Sequence, residues 1–401
     1  MKNKKTLFAL LLVASLLGCG GGGGGGGGAS PHVFPPPKAV EVTSYGNKHD
    51  IVLDAPQVTA LSGSDGRTVA FGDFFQEGEY SAFVTVSVGA TREVRFLKKN
   101  SNSWTNQTQG LLSGGNPITV CSNVAQALTA DFNGDGKPDV FLVCGMSTAS
   151  DQQIVMSQSG SATYARQSIT NSLGQTIQLQ GWGAAAADID GDGDIDIVMA
   201  QNNEIVALEN KIRSNGYWVL HNAANNNAWF DLASQQNFPT LPRKVFLIPR
   251  TGSRPDLVVG GDGSVGNITL AWMQGLATVT APFYRFNSNS ADSSYANAYR
   301  MSNNNSASIY DVASKGLNLF VVAKDQNLIN ESVSNQMVIL SFALPSPGAV
   351  FSLPTVISYT GNTAPNFISQ FKLISSSGRL VAYDGACVTG ETRCSFTASP
   401  P

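Results

Sequence analysis

Residues 187–199 read Ala187-Asp-Ile-Asp-Gly-Asp-Gly-Asp-Ile-Asp-Ile-Val-Met199, and residues 130–143 read Ala130-Asp-Phe-Asn-Gly-Asp-Gly-Lys-Pro-Asp-Val-Phe-Leu-Val143. In both stretches aspartate alternates with glycine, and an apolar run follows directly. This pattern predicts a tight polar loop that leads into a buried β-strand. The first aspartates of the two stretches are Asp131 and Asp188.

Weaker copies of the same pattern occur at a nearly constant spacing. The aligned starts fall at positions 73, 131, 188, 248, 311 and 373, so that successive starts are about 60 residues apart. A repeat with a period of this size is typical of propellers, solenoids and arrays.

Each repeat has the content of one propeller blade, because an apolar strand follows each loop and three further short strands precede the next loop. Residues 38–401 accommodate six units of about 60 residues. We therefore predict an all-β fold, a β-propeller of six blades, or of seven if residues 285–307 hide a degenerate copy. Apolar stretches at residues 40–42 and 50–53 have no unit of their own. We expect them to complete the last blade and close the ring, which removes exposed strand edges.

The composition agrees with an all-β chain and excludes one class of partner. Of the 401 residues, 42% are hydrophobic and only 13% are charged, with 25 Lys+Arg against 28 Asp+Glu. Setting aside Lys2, Lys4 and Lys5 as part of a leader changes the net charge from -3 to -6. Nucleic acid is therefore excluded as the main partner, because its binding needs clustered lysine and arginine.

Residues 1–18 have the layout of a signal peptide, with lysines before an apolar run that is short for a membrane span. The run ends Leu16-Leu17-Gly18-Cys19, which resembles the lipobox of bacterial lipoproteins. This resemblance implies cleavage before Cys19 and lipidation of its thiol, so that acylated Cys19 anchors the protein in a lipid bilayer. The alternative is an ordinary signal peptide that ends near a cysteine.

Residues 19–37 are predicted to be a tether between the membrane and the domain at residues 38–401. Nine glycines at 20–28 form a flexible coil, and three prolines at 35–37 form a stiff, extended segment. By resemblance to lipoproteins, Gly20 directly after the lipidated cysteine favours the outer membrane of a Gram-negative bacterium, with the domain facing either the periplasm or the exterior.

Four cysteines remain beyond Cys19. An even number in an exported protein indicates two disulfides. Pairing of neighbours, Cys121–Cys144 and Cys387–Cys394, is the simplest of three connectivities. Four free thiols are the alternative.

The repeats resemble the FG-GAP/VCBS family of integrin-alpha-like, calcium-binding propeller repeats over residues 60–385, strongly in two repeats and faintly in four. The resemblance implies a β-propeller with calcium in the loop D-x-[DN]-x-D-G-x-x-D. It says little about function, because such propellers serve as adhesive, carbohydrate-binding, enzymatic and scaffolding domains.

Alternating carboxylates on a tight loop supply the six to eight hard oxygen ligands that calcium prefers, whereas magnesium keeps its waters. Two calcium ions are expected, because the weaker repeats lack most ligand positions. The role expected for both ions is structural, with metal-bridged ligand binding as the alternative. The expected ligands are Asp131, Asn133, Asp135, the Lys137 carbonyl and Asp139 in the first loop, and Asp188, Asp190, Asp192, the Asp194 carbonyl and Asp196 in the second.

No catalytic constellation is found in the sequence. The three histidines are His32, His49 and His221, and Ser264 lacks the glycine two residues before it that a nucleophile elbow needs. The carboxylates outside the two loops are interpreted as turn residues. Trp104 and Trp218 are predicted to pack between blades, whereas for Trp182 and Trp229 packing and sugar stacking stay open.

The resulting hypothesis is a lipid-anchored, calcium-binding propeller of the cell envelope that recognises a glycan or protein ligand and is not an enzyme. A polysaccharide-active lyase or hydrolase on the same fold, and a scaffold of an envelope complex, are the alternatives.

Overall fold

In the computed structural model the chain is built from short strands. The structure describes residues 52–53, 57–58, 65–66, 69–78, 81–100, 103–145, 148–158, 160–201, 204–222, 229–231, 241–249, 254–262, 270–273, 275, 284–285, 296–299, 307–315, 318–325, 338–343, 355–358, 371–376, 379–384, 387–388 and 396–398. The predicted signal peptide, the tether with Cys19, and Cys394 of the second predicted disulfide lie outside these residues.

Six sheets of at least four strands follow one another in the described residues, and we number them sheets 1 to 6. The four main strands of each sheet pair as antiparallel neighbours. In hydrogen-bonded order the strands are Val69–Gly72, Ser81–Val88, Thr91–Asn100 and Ser103–Asn106 in sheet 1; Val124–Ala130, Asp139–Cys144, Gln153–Ser157 and Tyr164–Ser168 in sheet 2; Gly181–Ala187, Asp196–Gln201, Glu204–Lys211 and Tyr217–His221 in sheet 3; Leu241–Ile248, Asp256–Asp262, Leu270–Met273 and Ala296–Tyr299 in sheet 4; Ala307–Lys315, Asn318–Asp325, Val338–Ala343 and Thr355–Ser358 in sheet 5; and Phe371–Ser376, Arg379–Asp384, Phe396–Ala398 and Val52–Leu53 in sheet 6.

Smaller elements complete the described structure. Sheet 1 also carries Gln57–Val58 and Thr119–Val120, the short helices are Thr108–Leu111, Ser113–Gly115 and Ile212–Asn215, and the two-stranded pairs are Ser150–Asp151 with Gln178–Leu179, Phe230–Asp231 with Tyr284–Arg285, and Asp65–Gly66 with Cys387–Val388. Within the described ranges, no helix has the length and apolarity to cross a bilayer. The prediction of an all-β chain is confirmed.

Apolar side chains fill the spaces between consecutive sheets. The first strands of sheets 1 and 2, 2 and 3, 3 and 4, 4 and 5, and 5 and 6 contact each other. Four buried clusters lie between sheets 1 and 2, 2 and 3, 3 and 4, and 4 and 5. The second strands explain this arrangement, because their apolar residues can be covered on both faces of the sheet. In sheet 2 this strand, Asp139–Cys144, is buried at every position, as expected for a strand with a continuous apolar sequence.

The repeat loops connect the first and second strands of the sheets. This holds for the loops that start at Asp73, Asp131 and Asp188. The predicted starts at 311 and 373 are wrong, because the first strands continue to Lys315 and Ser376 and only residues 316–317 and 377–378 separate them from the second strands. These two copies lack the aspartates that would hold a longer loop.

A β-bulge recurs near the start of the first strand in sheets 2 to 5. The register shifts leave one extra residue on this strand, namely Ala125, Trp182, Arg243 and Tyr310 in turn. Bulges turn a side chain out of the alternation of a strand. The guanidinium carbon of Arg243 lies 3.6 Å from the centre of the Trp182 ring, so this contact joins sheets 3 and 4.

The structure contains the Cys121–Cys144 disulfide, with Cα atoms 6.1 Å apart. It connects a residue that precedes sheet 2 to the last residue of the second strand of that sheet.

Candidate metal centre

The first aspartate of each loop binds the backbone of its own loop. Asp131 accepts hydrogen bonds from the N–H groups of Asp135 at 3.0 Å and Gly136 at 2.8 Å. Asp188 accepts them from Gly191 at 2.8 Å and Gly193 at 3.1 Å. The glycines are needed because φ is +86° at Gly191 and +91° at Gly193, a conformation that other residues rarely adopt.

The ninth residue of each loop, Asp139 or Asp196, joins the loop to the third strand of its sheet. Asp139 accepts hydrogen bonds from Phe132 N at 3.0 Å and Ser157 N at 2.7 Å, and Asp196 accepts them from Ile189 N at 3.0 Å and Asn210 N at 2.9 Å. Both carboxylates are fully buried.

Burial disfavours the charged form of these two carboxylates. It raises the pKa of Asp139 to about 7 and that of Asp196 to about 8, although the backbone hydrogen bonds oppose the shift. Burial also raises the pKa of Asp190. A cation that lies against these groups would stabilise their ionised forms.

Three of the predicted ligands converge in the second loop. One carboxylate oxygen from each of Asp188, Asp190 and Asp196 lies within 4.8 Å of the others. Hard carboxylate oxygens at this spacing suit a calcium ion, so the residues fit the expected metal. The Asp192 carboxylate lies outside this set. The Asp194 carboxylate pairs with Arg213 Nη1 at 2.9 Å, so the Asp194 carbonyl remains the group that is expected to bind the ion.

The first loop is arranged differently. Asn133 and Asp135 both contact Ser157, since Asn133 Nδ2 donates to Ser157 Oγ at 3.3 Å and Ser157 Oγ donates to Asp135 Oδ2 at 2.7 Å. Lys137 Nζ donates to Ser161 O at 2.5 Å, away from the loop carboxylates. In the part of the chain that the structure describes, no second set of three acidic, histidine or cysteine side chains converges as in the Asp188 loop.

The second loop also carries positive charge. Lys211 Nζ lies 2.6 Å from Glu209, 2.8 Å from Asp192 and 3.7 Å from Asp190. The hydrogen bond with Asp192 raises the pKa of Lys211, which therefore stays charged at neutral pH. Glu209 also contacts His221, whose Nε2 lies 2.8 Å from Glu209 Oε2.

The Asp73 loop keeps the same frame without the ligand set. Asp73 accepts hydrogen bonds from Glu77 N at 2.9 Å and Gly78 N at 2.7 Å, as Asp131 does in its loop. Ser81 takes the ninth position and accepts from Phe74 N at 3.0 Å. Phe75 stands where Asn133 and Asp190 stand, so an oxygen ligand is missing.

Sheet 4 retains only the ninth-position anchor. Asp256 is fully buried and accepts hydrogen bonds from Trp272 Nε1 and Gly275 N, both at 3.0 Å. The sequence interpretation of Asp256 as a residue of a repeat-equivalent turn agrees with this position, but its tryptophan partner lay too far along the chain to be found from the repeat pattern.

The loops also contact the following sheet, which the sequence pattern did not predict. Asn210 Nδ2 of sheet 3 donates to Phe132 O of the preceding loop at 2.8 Å, and Arg254 Nε donates to Ile189 O at 2.9 Å. Arg213 packs on Gly134, where an added Cβ would come within 2.5 Å of Arg213 Nε. A change in one loop can therefore reach the next sheet.

The structure locates Trp218, for which packing between blades was predicted, and Trp229, for which packing and sugar stacking were both left open. Trp218 is 2% exposed and its ring centre lies 6.0 Å from that of Phe132, so it packs between sheets 2 and 3 as predicted. Trp229 is also buried and stacks on His221, with ring centres 4.9 Å apart. Trp104 lies in the fourth strand of sheet 1, with its side chain outside the described set.

The two aspartate loops match a known family. The family described as FG-GAP-like repeat matches residues 131–199, which span both loops, the last three strands of sheet 2, and the first strand and the beginning of the second strand of sheet 3. The resemblance to this repeat is confirmed for that segment. No curated protein sequence matches the chain.

Solved structures are similar to this chain at low identity. A lectin of Agrocybe aegerita that recognises non-reducing terminal N-acetylglucosamine has 13% identity and a TM-score of 0.44, with coverage of 74% of this chain and 67% of the lectin. The WD40 domain of Toxoplasma gondii coronin has 10% identity and a TM-score of 0.41, with coverage of 88% and 85%. A glycosyl hydrolase from Bacteroides ovatus has 10% identity and a TM-score of 0.36, with coverage of 82% and 97%. Similarities with TM-scores this low carry no functional argument.

Proposed function

We propose that this protein is a calcium-binding β-propeller that recognises a glycan or protein ligand at the cell envelope, where acylated Cys19 anchors it. The observation that supports the calcium part most directly is the convergence of the Asp188, Asp190 and Asp196 carboxylates within 4.8 Å. The match of residues 131–199 to the FG-GAP-like repeat supports the same interpretation.

The proposed architecture is one ring of six blades. Six sheets with the same antiparallel order, whose first strands contact in succession, support this arrangement. The pairing of Val52–Leu53 with Phe396–Ala398 supports closure of the ring, because an N-terminal strand then completes the last blade.

In the proposed mechanism the aspartate loops hold consecutive blades in place. When bound, calcium supplies the positive charge that the loop carboxylates need. Asp188 and Asp196 orient the Asp188 loop through their backbone hydrogen bonds. The carbonyl of Ile189, in the same loop, then receives Arg254 of the next sheet.

A ligand surface is proposed at the other end of the first strands. Trp182 and Arg243 lie there, on successive sheets, and their stacked contact provides an aromatic ring and a cation next to each other. Both side chains are partly exposed. Aromatic faces and arginine are common contacts for polar ligands with an apolar face.

The test is binding of the full chain, in detergent micelles, to a broad glycan array in calcium and again in chelator, with product analysis on every hit. We expect a calcium-dependent hit without cleavage, and loss of the hit in Trp182→Ala with retention in Trp182→Phe. Cleavage of the hit would replace the recognition proposal by the enzyme alternative. A folded sample without any hit would contradict the glycan part and leave a protein ligand as the target.

A further inference from the structure

A lysine already occupies part of the proposed second metal site. Lys211, on the third strand of sheet 3, lies 2.8 Å from Asp192 and 3.7 Å from Asp190. Asp190 is one of the three converging carboxylates, and Asp192 is a calcium ligand expected from the sequence. A positive charge this close to them repels a second cation that approaches the same oxygens.

Sheet 1 uses the same arrangement without a ligand set. Lys98, also on the third strand of its sheet, lies 2.6 Å from Glu77. Glu77 is the fifth residue of the Asp73 loop, as Asp192 is of the Asp188 loop. The Asp73 loop thus keeps its backbone hydrogen bonds with a lysine as the partner of its fifth residue.

Sheet 2 has no such lysine at the equivalent position. The third strands can be aligned because Ser157 N and Asn210 N make the same hydrogen bond to the ninth-position aspartate. The next residues are then Gln158 in sheet 2 and Lys211 in sheet 3. The side-chain amide of Gln158 donates a hydrogen bond to Met156 O at 3.3 Å. Among the hydrogen bonds of the described residues, none joins the Gln158 side chain to the loop carboxylates.

We propose that Lys211 is an internal counter-cation that competes with a divalent metal ion for Asp190 and Asp192, so that the Asp188 loop binds calcium more weakly than its carboxylates alone would. The inference rests on the calcium binding proposed above. Glu209 provides the alternative partner, because Lys211 Nζ lies 2.6 Å from Glu209 and can keep this contact when it leaves the loop.

Arg213 provides a control that distinguishes competition for the metal ligands from a general effect of positive charge on calcium affinity. It lies next to the same loop, but its partner is the Asp194 carboxylate at 2.9 Å. Asp194 is expected to bind metal through its carbonyl, so this carboxylate is not among the oxygens that the ion would take. Removing the Arg213 charge should therefore change calcium affinity less than removing the Lys211 charge.

The experiment is calcium titration by calorimetry on the full chain in detergent micelles, with wild type, Lys211→Gln, Arg213→Gln and Lys98→Gln. Lys211→Gln introduces the residue that sheet 2 has at this position. We expect one binding event to become roughly tenfold tighter in Lys211→Gln. We expect a change below about threefold in Arg213→Gln and none in Lys98→Gln. Lys211→Met, which keeps an unbranched side chain but removes the charge, should reproduce the effect, and circular dichroism checks that each variant is folded.

The outcomes separate the two proposals. If folded wild type and both Lys211 variants bind no calcium, the calcium-binding proposal is overturned together with this inference. If wild type binds but the Lys211 variants bind with the same affinity, or if Arg213→Gln matches Lys211→Gln, calcium binding stands and the competition is overturned. Binding that appears only in the Lys211 variants would support the competition while contradicting calcium binding by the natural protein.

Discussion

Replacement of Asp196 by alanine removes the carboxylate that holds the Asp188 loop to its sheet. Asp196 is fully buried and accepts hydrogen bonds from Ile189 N at 3.0 Å and Asn210 N at 2.9 Å. In Asp196→Ala both N–H groups lose their partner. Because a buried donor without a partner costs about 1–3 kcal/mol, we expect the free energy of unfolding in chelator to fall by about 2–6 kcal/mol.

Asp256→Ala is the matched control. Asp256 has the same position in sheet 4 and also accepts two hydrogen bonds from buried donors, Trp272 Nε1 and Gly275 N. The loss in chelator should be of the same size. The sequence of its repeat lacks the other oxygen ligands, however, since Arg250 and Gly252 stand at the third and fifth positions.

Calcium distinguishes the two variants. At a calcium concentration about 100 times the dissociation constant, one bound ion stabilises the folded state by about 2.7 kcal/mol. Wild type and Asp256→Ala should show this increment for each loop that binds an ion, whereas Asp196→Ala should lose the increment that comes from the second loop. The assay is urea unfolding in chelator and in calcium, followed by tryptophan fluorescence.

Three results would refute this reasoning. A loss below about 1 kcal/mol for Asp196→Ala in chelator would show that the carboxylate does not anchor the loop. A full calcium increment in Asp196→Ala would remove this residue from the ligand set. Loss of the increment in Asp256→Ala would mean that calcium acts on the whole fold and not at the aspartate loops.

Further predictions concern pH, the disulfide and one glycine. The pKa of Asp139 is about 7 and that of Asp196 about 8 in the folded state, well above the ordinary value near 4. In chelator the folded state therefore keeps protons that the unfolded state releases, so stability falls as pH rises from about 4 to 8. Because calcium binds the ionised groups, its increase in Tm should be larger at about pH 8 than at about pH 5.5; an equal increase at both values would contradict this. Cys121→Ala with Cys144→Ala opens a link across 23 residues and should lower the free energy of unfolding by about 3 kcal/mol. In urea unfolding, dithiothreitol should destabilise wild type more than the double variant, in which only the predicted Cys387–Cys394 disulfide remains to be reduced; an equal effect on both proteins would contradict this. Gly183→Ala should lower the free energy of unfolding by about 1–3 kcal/mol, because its Cβ would come within 2.5 Å of Arg243 O on the next sheet. Gly174 is the control: it has open space around it but a φ of +72°, so Gly174→Ala should lose only about 1 kcal/mol from backbone strain. A larger loss for Gly174→Ala than for Gly183→Ala would refute the packing argument.

The parts of the fold that depend on local pattern were predictable from the sequence. The apolar strand after Asp139 and the glycines at 134, 136, 191 and 193 follow from period and backbone geometry. The repeat loops predicted to start at 311 and 373 were misplaced because that prediction also depended on local pattern alone. Once the aspartates are gone, an apolar strand flanked by small polar residues does not mark where a turn begins, and the first strand of sheet 5 runs on to Lys315.

The site was predictable only within each loop. Alternating aspartates indicate a cation, but they do not reveal which charges other strands bring to them. Lys211 comes from the third strand of sheet 3, and His221, the partner of Glu209, comes from the fourth. Contacts between sheets, such as Asn210 with the carbonyl of Phe132 across 78 residues, follow from the way the sheets pack and not from the repeat itself.

The sheets meet one structural requirement by different chemical means. A loop between the first and second strands leaves backbone N–H groups that need an acceptor, and its own carboxylates need a positive charge. In sheet 1, Ser81 provides the anchor and Lys98 the charge. In sheet 3, Asp196 provides the anchor and Lys211 part of the charge.

Sheets 4 to 6 reduce this requirement step by step. Sheet 4 keeps the Asp256 anchor and offers Arg254 to the preceding loop. Sheets 5 and 6 have only residues 316–317 and 377–378 as connections, so few loop N–H groups remain to be bonded. If only the loops of sheets 2 and 3 need a bound cation, the dependence of stability on metal is confined to these two sheets. Chelation should then increase amide hydrogen exchange first at residues 131–138 and 188–195, and leave the central strands of sheet 5 protected.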